Sequence, residues 1–504
     1  MLKKLQINNK AGKQAALGGI ISIIGVVLGF LNAGLLQPLL LEPSQIGQLK
    51  LFTSLSSVLG IIGLLGFEAA VNRAFPYYKT KDGSNNGFYY YSLAFGLFGV
   101  VLSVLILFIG QDYIFSGEGA EISWLFPLLL ITVVFRIFLH HLDALFTQLG
   151  AAILGVFYLD IVQRLLIIAS LILFFIDWID FPILAVLFGI ALCLPGFIML
   201  VQFFPKLLVK GALKPVQVKG FGFKKIAELS WYGYLSSISS YFLRELDFLM
   251  ISYMLSLHFT GIYTVLFFFG SLVQVPAKVL LRVVLPLIGD AWKENKLVKI
   301  QQLYTSSSIV MFMIGVVVLG GIIVGIDYVM QIMPSGLVYQ EYKWVAIIIG
   351  AANLVNMFFG VNAQIIGTSE KYKMNFYFNL ILLINLFVFN YFMISWYSII
   401  GCALGTFLAI AVNNLLRYLY LRKVFGFHFV EKTHLYIFFA FIISIAASAG
   451  LKYLLPVSEL PIGQLLIVEV FFLGALAGCF KLFKLDKYLY NFNNSVLQKR
   501  KKEN

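Results

Sequence analysis

Apolar stretches long enough to cross a bilayer follow one another along almost the whole chain, parted by short polar gaps. A membrane helix needs about 20 apolar residues. Windows of that length predict fourteen spans, near 16–40, 48–70, 88–110, 122–144, 153–176, 181–204, 226–256, 261–285, 303–327, 343–366, 374–394, 398–420, 434–454 and 462–483. The longest basic gap, KLLVKGALKPVQVKGFGFKK at 206–225, divides six spans from eight. Composition excludes the soluble multidomain protein that a length of 504 residues would otherwise suggest. The chain is 61% hydrophobic and 12% charged, against roughly 45–50% apolar in a globular protein. The expected fold class is all-α and integral to a membrane.

The distribution of lysine and arginine sets the expected orientation. With an even number of spans both termini share a side. Of 37 basic residues, 29 fall in the two tails and the gaps on that side, and only Lys50, Lys343 and Lys452 fall opposite. Both termini are therefore expected in the cytoplasm, and the basic N-terminus MLKKLQINNKAGKQAALGG reads as the flank of a first span and not as a cleaved signal. The net charge of +14 is topogenic on this reading, with no call for nucleic acid. Cys193, Cys402 and Cys479 lie in apolar runs and read as small core residues, with no disulfide framework and no metal site.

Five basic residues remain inside the spans: Arg136, Arg164, Arg244, Lys278 and Arg282. A charge near the centre of a membrane helix costs about 2.5–3.5 kcal/mol on insertion scales, so each needs a reason. Residues three or four apart share a helix face. Thr132, Arg136, His140, Asp143 and Thr147 make one polar stripe. Asp160 and Arg164 form an i,i+4 pair; Ser271, Gln274, Lys278 and Arg282 make another stripe. In SSYFLRELDFLMISYML (239–255), Arg244 and Asp247 are three apart, with Tyr241 and Ser237 continuing the line. Such stripes line a water-accessible cavity, because lipid-facing positions cannot hold them. Arginines spread through the membrane thickness suit a passing anion. The alternative is that Arg164 and Arg244 pair with Asp160 and Asp247 while Arg282 snorkels. Four small-residue motifs, GVVLG (25–29), GIIVG (321–325), GCALG (401–405) and GALAG (474–478), read as close helix contacts.

Motifs for phosphate-loop ATP binding, zinc ligation and a serine nucleophile elbow are absent from the sequence. His140 and His141 are adjacent, diverge by about 100° on a helix, and make a poor metal pair. No cofactor and no enzymatic activity are expected.

A weak internal repeat pairs LLLEPSQIGQLKLFTSLSSVLG (39–60) with YMLSLHFTGIYTVLFFFGSLVQ (253–274), as two six-span halves would require. The expected divisions are 1–205, the basic linker 206–225, 226–422, and 423–504 with two further spans and a basic tail.

With GGIISIIGVVLGFL near the N-terminus, EPSQIGQLKLF, GFEAAVNRAFPYY, and RELDFLMISYMLSLHFTGIYTVLFFFGSLVQVPAKVLLRVVLPLIGDAW, the chain resembles the polysaccharide-transporter branch of the MOP superfamily. These are flippases for lipid-linked oligosaccharides, related to the lipid II flippase and the MATE exporters. The resemblance implies two six-helix lobes in a V-shaped, MATE-like arrangement around a basic cavity, plus two C-terminal helices. It implies a polyprenyl-diphosphate-linked oligosaccharide as substrate, flipped in a bacterial cytoplasmic (inner) membrane for surface polysaccharide synthesis, with H+ or Na+ and a polysaccharide polymerase as further partners. Arg73, Arg244, Lys278 and Arg282 match the family's cavity bases; Arg136 and Arg164 rest on their stripes alone. Asp160, Glu228 and Asp247 are the candidate coupling acids. The family departure is the cluster Arg244-Glu245-x-Asp247, whose acids compete with the substrate for the arginine. Two other readings stand beside the flippase: a cation-coupled multidrug exporter, and a membrane glycan polymerase or acyltransferase, for which the outer loops are too short.

Overall fold

The computed structural model describes residues 17–80, 82–216, 218, 222–333, 336–454, 461–485 and 488. The basic tails and Lys81, on which the orientation argument partly rests, lie outside them. Among the described residues the fold is helical throughout, with no strand. In chain order the main helices are α1 (Leu17–Leu40), α2 (Pro43–Leu64), α3 (Phe67–Tyr78), α4 (Phe88–Ile114), α5 (Phe126–Gln148), α6 (Ile153–Phe175), α7 (Phe181–Leu207) and α8 (Phe223–Met254). They continue with α9 (Leu257–Lys293), α10 (Leu297–Ile332), α11 (Trp344–Phe358), α12 (Asn362–Thr368), α13 (Lys373–Phe425), α14 (Lys432–Leu454) and α15 (Pro461–Leu482).

Eleven of these are long and apolar enough to cross a membrane, or twelve if the bent pair α11–α12 is one span. The fourteen expected from sequence are not reached on that criterion, which counts α13 once and does not count α8. The expected segments 374–394 and 398–420 are two helices that meet at Tyr397 and Ser398, where the backbone leaves helical geometry, so α13 supplies both. The 32-residue α8 carries Arg244, Glu245 and Asp247. The 49° bend between α11 and α12 falls at Gly360, whose φ of +59° is left-handed and favours glycine.

The chain divides into two compact units, Met1–Gly261 and Ile262–Asn504. The break lies inside α9, so by its packing against α2 and α3 the charged helix α8 belongs to the first unit. Local signals start the helices. Glu42 caps α2 through a reciprocal box with Gln45, the Glu42 amide donating to Gln45 Oε1 at 3.0 Å. Prolines occupy the first turn of α2, α5, α7 and α15, where a missing amide costs nothing. An aromatic core of Phe67, Phe75, Tyr78, Phe88 and Phe203 fills the first unit. In the second, Phe312, Phe358 and Phe429 pack around His434, and Tyr304 packs on Phe429.

The small-residue motifs do different things. Gly25 and Gly29 of α1 face the Asp160–Arg164 pair of α6, and Arg164 donates to the Gly25 carbonyl. A side chain at Gly29 would occupy the guanidinium's place. Gly321 and Gly325 face Glu469, while Gly401 and Gly405 face the preceding half of α13. Gly474 and Gly478 have nothing within 4 Å, so the two glycines of the GALAG motif lie on the outer side of α15 and make no close helix contact, while Leu476 between them is buried.

Gly29→Leu should therefore cost about 1–3 kcal/mol by overpacking. Gly474→Leu should stay within about 0.5 kcal/mol. Melting temperatures of the two purified variants in one detergent check the contrast, and equal behaviour would show that α1 does not hold the ion pair.

Candidate functional site

The charges of the first unit converge on three helices. Along α2, Lys50, Ser54 and Ser57 follow at i, i+4 and i+7 and so share one face. Across from them on α8, one oxygen of Glu245 accepts from Lys50 Nζ at 2.8 Å and from Ser54 Oγ at 2.8 Å. The pair is mostly withdrawn from solvent, with side-chain exposures of 17% and 14%. Lys50 Nζ also lies 3.7 Å above the Phe248 ring, a favourable cation–π position.

Arg136 enters from α5. Its Nη1 donates to Ser57 Oγ at 3.0 Å, and Gly60 on α2 leaves room for its aliphatic stem. Its Nε is buried with no hydrogen-bond partner among the described residues. The charges of Glu245 and Arg244 both reach it. Arg244 is exposed and lies 5.6 Å from the Tyr241 ring centre. Tyr241 meets His140 edge to face at 5.7 Å, and His140 Nδ1 lies 4.0 Å from Glu68 Oε1. His141 turns the other way, buried and stacked on Phe67 at 4.4 Å. Asp143 continues the α5 stripe, its carboxylate against Gly155. Lys50 thus holds the Glu245 carboxylate directly, Arg136 lies within reach of its charge, and Arg244 lies beyond Arg136 against Tyr241.

The other expected site residues scatter. Arg164 pairs with Asp160 at 3.2 Å in a π-helical turn of α6, Tyr158–Val162. Glu228 is exposed and pairs with Lys225 at 3.0 Å. Arg73 is exposed on α3. Asp247 is buried, 4% exposed, while Arg244 three residues earlier is exposed, so the two face different environments. The side chain of Ser237 lies outside the described residues. Lys278 and Arg282 are exposed on α9 within the second unit.

Sequence reasoning passed over several polar groups. Lys50 was counted as a loop charge. In the second unit Arg417, counted likewise, is 7% exposed and donates to Asn379 Oδ1 at 2.7 Å. Asp327 accepts from Lys343 at 2.6 Å and lies 3.6 Å from Lys452. All three lysines expected on the outer side are therefore held by carboxylates. Asn356 accepts from Asn414, which in turn accepts from Asn362.

No protein-family model matches the chain, and no curated protein does. Solved structures do. Lipid II flippase MurJ in an inward closed conformation superposes with a TM-score of 0.75 at 13% identity, covering 94% of this chain and 99% of that one. A multidrug resistance MATE family transporter of the MOP superfamily matches in its inward-facing conformation with a TM-score of 0.63, at 15% identity over 81% and 94% of the two chains. Such a transporter in the outward-facing conformation gives 0.56 at 15% identity and the same coverage. At these identities the likeness establishes the fold. This is a multi-span helical membrane protein with a MATE- and MurJ-like fold.

Removing one partner of a buried ion pair leaves the other charge uncompensated and costs about 3–5 kcal/mol. Lys50→Ala should therefore lower the melting temperature strongly, and adding Glu245→Gln to it should recover much of the loss. A double variant worse than Lys50→Ala alone would mean that the pair does not organise α2 against α8.

Proposed function

We propose that the protein is a flippase that carries a polyprenyl-diphosphate-linked oligosaccharide from the cytoplasmic to the outer leaflet by alternating access. The observation that carries this reading is the Lys50–Arg136–Arg244 cluster, and within it the buried Arg136 Nε without an acceptor. A buried donor left unsatisfied costs about 1–3 kcal/mol, which an incoming phosphate oxygen would recover. Guanidinium groups bind diphosphate through paired N–H donors, which a lysine cannot reproduce. The sugar and diphosphate would cross against this basic face while the polyprenyl tail stays among the membrane lipids.

Arg73, Arg164, Lys278 and Arg282 remain proposed contacts along the path, with Lys278 and Arg282 serving the second six-span lobe (226–422). Arg164 contributes only if it leaves Asp160. With no ATP-binding motif in the sequence, the drive is a gradient of H+ or Na+, or consumption of the product by a polymerase on the far side. Moving one charge through the membrane field is worth about 2.3 kcal/mol per 100 mV. Among the proposed coupling acids, Asp247 is buried, Asp160 pairs with Arg164 and Glu228 pairs with Lys225. The setting is a bacterial cytoplasmic membrane with both termini inside. A MATE-like exporter of cationic drugs fits less well, because a buried guanidinium N–H without an acceptor favours an anion over a cation. The short outer loops speak against an enzyme.

In cells lacking the protein, polyprenyl-linked repeat units should accumulate facing the cytoplasm. Wild type should clear them, Arg136→Ala should not, and Arg136→Lys should do so only partly. Leaflet-resolved assay of the lipid-linked units makes the test. Units that reach the outer leaflet normally but stay unpolymerised would overturn the reading in favour of an enzyme.

A further inference from the structure

A second polar feature lies in the C-terminal unit, away from the basic cluster. Glu469 is the ninth residue of α15, about 12 Å along the helix from Pro461 at 1.5 Å per residue, inside the apolar run LLIVEVFFLGAL. Its carboxylate lies along a notch in α10. A Cβ built on Gly325 would stand 2.6 Å from Oε1, and one on Gly321 would stand 3.2 Å from Oε2. No hydrogen bond to Glu469 is found among the described residues. The charge of Lys452 reaches it, but Lys452 Nζ is already held 3.6 Å from Asp327 and 5.0 Å above the Tyr328 ring.

The notch opens into a cleft of about 150 Å³ whose remaining lining is apolar: Phe269, Ile322, Ile326 and Val329. One carboxylate in apolar surroundings selects its ligand. A hard metal ion needs about six oxygen ligands, and the helix carbonyls of α10 are committed to its own ladder. An organic ammonium needs one counter-charge and brings its own apolar surface.

We propose that the cleft between α10 and α15 is a binding site for an organic ammonium with an apolar body, its cationic head against Glu469 and its hydrocarbon against Ile322, Ile326 and Val329. The ammonium could be a lipid head group or a free cationic amphiphile. The site does not depend on the flippase reading, and each can fail without the other.

The test uses the full chain in nanodiscs of phosphatidylglycerol alone. Dicyclohexylcarbodiimide, which modifies carboxyl groups in apolar settings, should label Glu469, read by peptide mass spectrometry, with Glu469→Gln as the site control. Decyltrimethylammonium should reduce that labelling at least about fivefold, as expected for a desolvated ion pair, and decanol should not. Nanodiscs containing phosphatidylethanolamine separate the sources: protection there without added cation assigns the site to a lipid head, and protection only by decyltrimethylammonium assigns it to a free cation. Glu469 that resists labelling, or that decanol protects as well as the cation does, overturns the proposal.

Discussion

A charge inside an apolar helical bundle has to be neutralised, and in the N-terminal unit that constraint is met by the Lys50–Glu245 ion pair. Each ion would carry a desolvation penalty of several kcal/mol alone. Together, with Ser54 donating to the same carboxylate oxygen, they hold α8 against α2. Everything else at the site follows from that contact. It fixes the rotation of α8, which places Arg244 on an exposed face and Asp247 in the interior. Ser57, one turn further along α2, then meets Arg136 from α5.

The same pair gives the site its chemical character. Glu245 acts as an internal anion, occupying Lys50 and lowering the electrostatic cost of holding Arg136 nearby. On the proposed flippase reading, a diphosphate entering the site would present more negative oxygens than one carboxylate and would satisfy the Arg136 Nε that Glu245 leaves unbonded. Competition between a resident carboxylate and a visiting phosphate is a means of binding strongly enough to select yet loosely enough to release. The Asp160–Arg164 pair differs in kind. Seated against Gly25 and Gly29 and bonded to a backbone carbonyl, it reads as a fixed strut between α1 and α6.

Hydrophobic periodicity made the fold class legible, because span length is a property of consecutive residues. It also placed the division between 374–394 and 398–420 at the break in α13, where Tyr397 and Ser398 leave helical geometry. The site was legible in part. Arg136 and Arg244 stood out as charges where apolar residues belong. Lys50 did not, because it lies near a span end and its partner is 195 residues away. The spacing of Arg244 and Asp247 pointed to a local pair, but i,i+3 spacing fixes proximity along a helix and says nothing of which residue faces the bundle. Glu469 was missed because a single carboxylate barely changes the hydropathy of a span.

The most direct test is the affinity of the purified protein in nanodiscs for a short-chain polyprenyl diphosphate, compared between wild type and Glu245→Gln. If Glu245 is the resident competitor for the bases, its neutralisation should tighten binding by about tenfold, the equivalent of 1.4 kcal/mol. Binding that is unchanged or weaker in a folded Glu245→Gln protein would contradict the account and leave the Lys50–Glu245 pair as a structural contact only.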